Sequence, residues 1–111
     1  MIKDRREYAE ATEELRAAVD WYEDQEPGLG DKVLRAAELA VKAIIEYPQA
    51  WPILPGWGDR TPVIRTHGLA TFHYRVVYYV KDDTLNIIAY AHANREPEYW
   101  SHRLESDEPE G

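Results

Sequence analysis

Thr71-Phe72-His73-Tyr74-Arg75-Val76-Val77-Tyr78-Tyr79-Val80, followed by Lys81-Asp82-Asp83 and then Thr84-Leu85-Asn86-Ile87-Ile88-Ala89-Tyr90-Ala91-His92, is the stretch that decides the fold. In its first part Phe72, Tyr74, Val76, Tyr78 and Val80 fill the even positions, while Thr71, His73 and Arg75 take odd ones. A period of two predicts a β-strand over residues 71–80 with one buried side. Asp82-Asp83 reads as a tight turn, and Leu85, Ile87, Ala89 and Ala91 form the matching core row of a second strand over residues 84–92. A two-residue turn pairs 81 with 84, so 76 faces 89 and 78 faces 87, core against core. Parity then sets Arg75 opposite Tyr90 and His73 opposite His92 on the other face. Val63, Arg65 and His67 join that face from a preceding strand if His67-Gly68-Leu69 is the turn.

Outward from this hairpin the period changes. Tyr8, Ala11, Leu15, Ala18, Val19 and Tyr22 recur at helical spacing, with Glu10, Glu13, Glu14, Asp20 and Asp24 on the opposite face, which predicts an amphipathic helix over residues 8–24. Pro27-Gly28 breaks it. Leu29, Val33, Ala37, Val41 and Ile44 then predict a second helix over residues 29–47, stopped by Pro48, so the two form a hairpin. Residues 48–62 hold four prolines, two glycines, Trp51 and Trp57, the composition of a structured crossing loop. Beyond His92, the Arg95-Glu96-Pro97 stop lets Pro97 open a short helix through Tyr99, Trp100 and Leu104. His92 and Arg95 thus arrive where a sheet ends and a helix begins, a natural place for a site.

A chain of 111 residues, 44% hydrophobic and 31% charged, fits one domain spanning residues 1–111. It can bury roughly 60 to 70% of its unfolded surface without staples, and it has no cysteine to form any, which agrees with a reducing compartment. Residues 1–7 lack the apolar core of a signal peptide, and no apolar stretch reaches membrane length, so the expected location is the cytoplasm, away from membranes. The net charge of -8 is uneven: residues 1–59 carry -6, residues 60–103 carry +2 together with all four His, and residues 104–111 carry -4. A weakly basic face is compatible with this, but the dense Lys/Arg stripe of a phosphate-binding protein is not. The acidic end over residues 105–111 reads as a disordered, solvating tail.

His73 and His92 are two imidazoles suited to acid-base work near neutral pH. Two such ligands are too few for a metal site, and no metal or cofactor is expected. Arg75 on a strand's outer face reads equally well as a solvated or carboxylate-paired group. Tyr99-Trp100 reads first as an anchor for the last helix and second as a stacking platform.

The order and spacing of Trp21-Tyr22-Glu23, Pro27-Gly28-Leu29-Gly30, Tyr47-Pro48-Gln49-Ala50-Trp51-Pro52, Tyr74-Arg75-Val76-Val77-Tyr78, and Ala91-His92 through Pro97-Glu98-Tyr99-Trp100 resemble the ParE/RelE toxin superfamily over nearly the whole chain. The resemblance implies an α+β fold: an N-terminal helical hairpin packed on an antiparallel β-sheet, with a short C-terminal helix. A first strand is usual in the family, yet residues 1–7 are so charged that one here would be short or absent. It also implies a bacterial type II toxin, of plasmid stabilisation type, neutralised by a cognate antitoxin whose extended or helical segment wraps it. A toxin dimer within that complex is a further possible assembly.

Members similar to ParE poison DNA gyrase, and members similar to RelE cut mRNA in the ribosomal A site. In the RelE-like alternative Arg75, Arg95 and Tyr99 match the family's functional positions, and His92 or Tyr99 would transfer protons. Ala93 and Asn94, however, stand where many relatives have further basic residues, and stabilising a phosphorane needs concentrated positive charge. The preferred reading is therefore ParE-like and non-enzymatic, with Arg65, His67, His73, Arg75, Tyr90, His92 and Arg95 as the face for target or partner. A third reading is a relative that binds its antitoxin but poisons nothing.

Overall fold

Along the chain run β1 (Asp4–Glu7), α1 (Ala9–Gln25), α2 (Leu29–Glu46), β2 (Arg65–Gly68), β3 (Tyr74–Lys81), β4 (Thr84–His92) and a closing 3-10 turn (Ser101–Ser106). They come from a computed structural model that describes residues 1–106. Most of the acidic stretch expected to be a disordered tail, from Asp107 onward, lies outside the described residues; Glu105 and Ser106 belong to the closing turn.

The sheet has four strands in the order β1-β4-β3-β2. β1 joins β4 in parallel and the other pairings are antiparallel, so the sheet is mixed where a purely antiparallel one was expected. Asp4-Arg5-Arg6-Glu7 forms a strand in spite of its charge because it is short and lies at an edge, where charged side chains stay in water. The N–H of Lys3 on Asp83 O and that of Tyr8 on Ile87 O bracket it, at 2.8 and 2.9 Å.

The β3–β4 turn is as read. Asp82 and Asp83 both sit at positive φ, 52° and 61°, the backbone of a type I′ turn, whose twist matches that of the strands it joins. Next to it the expected register holds: Lys81 faces Thr84 and Tyr78 faces Ile87. The pairing then slips between Val77 and Tyr78, leaving Ile88 as the extra residue of a β-bulge. Past the bulge every sequence-derived pair is off by one: Val76 faces Tyr90 instead of Ala89, Arg75 faces Ala91 instead of Tyr90, and Tyr74, not His73, faces His92.

β2 departs from expectation too. It runs through Gly68, and the connection to β3 is longer than a turn at 67–69: Leu69 N–H reaches Tyr74 O at 3.0 Å and Thr71 takes a φ of 66°. Arg65 therefore stands beside Tyr78 and His67 beside Val76, while Thr66 falls in the row of Val77. Arg65 and His67 do not share a face with Arg75.

Nor is one sheet face left open. Val76, Tyr78 and Ile87 are buried, and so are Val77, Tyr79, Asn86 and Ala89 of the alternate row. The first row meets the helical side, where the Tyr78 hydroxyl donates to Pro48 O just beyond α2, at 2.9 Å. Both rows belong to one core cluster, which also takes in Trp57 of the crossing loop and Trp100 of the C-terminal segment, packed together at 5.7 Å.

α2 buries Val33, Ala37, Val41 and Ile44 at the predicted spacing, each large aliphatic contributing roughly 1.5 to 3 kcal/mol. α1 is held more lightly, with only Ala11 and Ala18 fully buried. The hairpin is locked by Glu23, whose carboxylate accepts the N–H groups of Gly28 and Gly30 at 3.1 and 3.0 Å, a negative charge set at the positive end of α2. Gly30 lets the helices close: a Cβ there would lie 2.9 Å from Val19 O. At the other end of the chain the helix expected from Pro97 does not form directly. Glu98 adopts a φ of 63°, which interrupts a right-handed path, and regular structure resumes only at Ser101.

Candidate target- and partner-binding face

β1 ends opposite Ile87, and among the described residues no strand lies beside the same edge of β4 beyond that point. Side chains finish it instead. Glu14, projecting from α1, accepts the Tyr90 N–H at 3.1 Å, and Arg103 donates to Ile88 O at 2.9 Å. The two are clamped to each other by guanidinium–carboxylate bonds of 3.0 and 2.9 Å, with Arg103 only 7% exposed. The Tyr99 hydroxyl donates to the same carboxylate at 2.5 Å, and the Arg95 guanidinium lies 3.8 Å over the Tyr99 ring. Burial works against the Arg103 charge, but Glu14 more than restores it, so its pKa is raised. The Tyr99 phenol is pushed well above its usual range by burial first and by its bond to Glu14 second.

The helical pattern puts Glu14 on the solvent face of α1, and no sequence pattern distinguishes Arg103. A signal for Glu14 was present, because it stands three residues after Ala11 and four before Ala18, on the stripe those two bury. Nothing in the spacing around Arg103 marks it.

The remaining predicted residues occupy separate settings. The exposed Arg75 donates from Nε to Thr66 Oγ1 at 3.1 Å, and its guanidinium lies against Gly68, where a Cβ would come within 3.2 Å. Arg65 donates to Trp51 O at 2.7 Å. The His67 ring meets Trp51 edge-on at 4.3 Å, and its Nδ1 lies 2.7 Å from Gly68 O. His92 Nδ1 accepts the Asn94 N–H at 3.0 Å, and its ring meets Tyr74 edge-on at 4.9 Å. His73 is exposed. The Tyr90 hydroxyl donates to Glu7 at 3.2 Å; burial and then the Glu7 charge raise its pKa strongly. Of Arg75, His92, Arg95 and Tyr99, only Arg95 and Tyr99 touch through a described interaction. Among the described residues no three His, Cys, Asp or Glu gather to hold a metal ion.

This geometry describes a small domain whose polar groups are mostly spent on its own edges, leaving aromatic and singly charged surface for other molecules. The chain matches the family described as ParE toxin of type II toxin-antitoxin system, parDE, over residues 9–97, and it belongs to that family. Among solved structures, a chain of the chromosomal ParDE TA system from P. aeruginosa is similar to it, with a TM-score of 0.58 and 19% identity, covering 84% of this chain and 98% of that one. At that identity the likeness speaks for the fold. No curated protein matches the chain. No helix of the described residues is long and apolar enough to cross a membrane.

Proposed function

We propose that this toxin acts as a non-enzymatic poison of DNA gyrase in the cytoplasm and is neutralised by a cognate antitoxin that covers it in the resting cell. The observation that carries this reading is the dispersal of the groups an mRNA nuclease would need. Phosphoryl-transfer catalysis wants cations and a proton acceptor aimed at one point. Here Arg75 is bonded to Thr66, His92 receives a backbone N–H on Nδ1, and the Tyr99 hydroxyl donates to Glu14. A phenol with a raised pKa is a poor base at neutral pH. A gyrase poison needs only a recognition surface, and Arg65, His67, His73, Arg75, His92 and Arg95 are the residues we assign to contacts with target or antitoxin; Tyr90, expected on that face, is buried with its hydroxyl on Glu7 and serves the core instead.

Purified toxin is expected to stabilise gyrase–DNA cleavage complexes in a supercoiling assay and to leave mRNA on ribosomes uncut. Robust A-site cleavage by the wild type, abolished in a folded Arg75→Ala variant, would replace this reading with the RelE-like one. Absence of both activities alongside tight antitoxin binding would identify an inactive relative.

A further inference from the structure

Five aromatic rings lie in a band from the end of α1 to the end of β4, in two contacting groups. Trp21 meets Tyr22 edge-on at 4.9 Å, Tyr22 meets Phe72 at 5.0 Å and Tyr74 meets His92 at 4.9 Å, and the two groups are neighbours, since the Tyr22 phenol contributes to raising the pKa of Tyr74. None of the five is buried, and Trp21 is 57% exposed. An exposed tryptophan backed by the half-buried rings of Tyr22, Phe72 and Tyr74 has the composition of an interface centre rather than of ordinary surface.

The rim of this band says what kind of partner fits it. Asp20 and Asp24 flank Trp21 on α1, Glu26 follows, and none of the three is ion-paired among the described residues. They crowd the C-terminal end of the helix, whose last turn holds no basic residue. Negative charge there opposes the helix dipole, so the free protein carries it at a cost in stability. Glu23 recovers that cost by capping α2; the other three do not.

We infer that the aromatic band around Trp21 is the docking site for a cationic polypeptide segment, one whose Arg or Lys side chains stack on Trp21 and pair with Asp20 and Asp24. Cation–π contact and charge pairing then act on the same side chain of the partner. This rests on the reading that the toxin is held by an antitoxin, which supplies the segment.

The test uses the full-length toxin and, as probe, the purified product of the small open reading frame adjacent to its gene. Binding is measured by titration calorimetry at low salt and at about 0.5 M salt, where surface attraction is largely screened. Trp21→Ala is expected to weaken binding at least tenfold, as for an aromatic hot spot, and Asp24→Lys several-fold at low salt, with the difference vanishing at high salt. Asp24→Lys should at the same time raise the melting temperature of the free toxin, a combination that general misfolding does not produce. Acrylamide quenching should fall on complex formation in the wild type and change little in Trp21→Phe. If the wild type does not bind the probe, the antitoxin reading fails. If the wild type binds and both folded variants bind equally well, antitoxin binding stands and this inference is overturned.

Discussion

The two ends of the β3–β4 hairpin were equally regular in sequence, yet only one was legible. At the turn, Asp82-Asp83 forces a two-residue connection and so fixes Lys81 against Thr84. At the far end, Arg75 and His92 find partners other than those parity assigns. The difference is Ile88. A bulge is silent where Ile87 and Ile88 are both apolar and both buried, because an apolar pair fits either register equally well. Local turn chemistry therefore sets register over a few pairs, and tertiary packing sets it thereafter.

The far end is the place to break this comparison hardest. Val76→Asp, fully buried opposite Tyr90, is expected to cost several kcal/mol, on the order of the domain's whole stability. Loss of the cooperative unfolding transition in circular dichroism is the expected result, and an unchanged melting temperature would refute the packing described here.

Next in size is the side-chain finish of β4. Glu14→Ala should cost about 3 to 5 kcal/mol in urea unfolding, because it leaves the buried Arg103 charge without its partner, and Arg103→Ala somewhat less, because Glu14 keeps the Tyr90 N–H and the Tyr99 hydroxyl. A double Glu14→Leu, Arg103→Met variant should cost much less than the sum. Additive losses would show that the clamp is not a coupled unit.

Alkaline pH probes both ends together. Burial pushes the Tyr78 phenol up to about 12 from its usual 10.0, and Tyr90 and Tyr99 move the same way. The folded state thus holds these protons more tightly than the unfolded chain. The resulting stability is complete below about pH 10 and is lost as pH rises toward about 12. The melting temperature should begin to fall near pH 10, with a late component of tyrosinate absorbance at 295 nm appearing together with unfolding.

The smallest effect sharpens the near end. Asp83→Gly removes a side chain from a left-handed position, φ 61°, and should raise stability by up to about 1 kcal/mol. A loss would mean that the aspartate carboxylate, not the backbone, holds the turn.

The helical hairpin is readable because α2 repeats its buried positions over about four turns, and the C-terminal anchor is readable from Tyr99-Trp100. What escaped was every feature that joins distant segments. Glu14 among several glutamates, the unremarked Arg103, and the rows of Arg65 and His67 all depend on which element lies alongside, and periodicity within one segment carries none of that. The candidate site suffered most, since its residues were assigned by parity beyond the bulge. Arg75 and His92 kept their strands and lost their expected neighbours; Arg95 and Tyr99 came together through a ring contact that no spacing rule supplies.

The parallel pairing of β1 with β4 has a consequence for how the molecule comes into being. Asp4 must wait for Thr84, and Tyr8 can reach the Tyr79 hydroxyl only after β3 exists. Helix hairpin contacts close within a short span of chain, whereas the edge of the sheet closes over nearly its whole length, the slow kind of contact to form. On a translating ribosome the sheet edge that carries Glu14 and Arg103 therefore stays unfinished until synthesis has passed Arg103. The Glu14–Arg103 clamp is thus among the last contacts the growing chain can make.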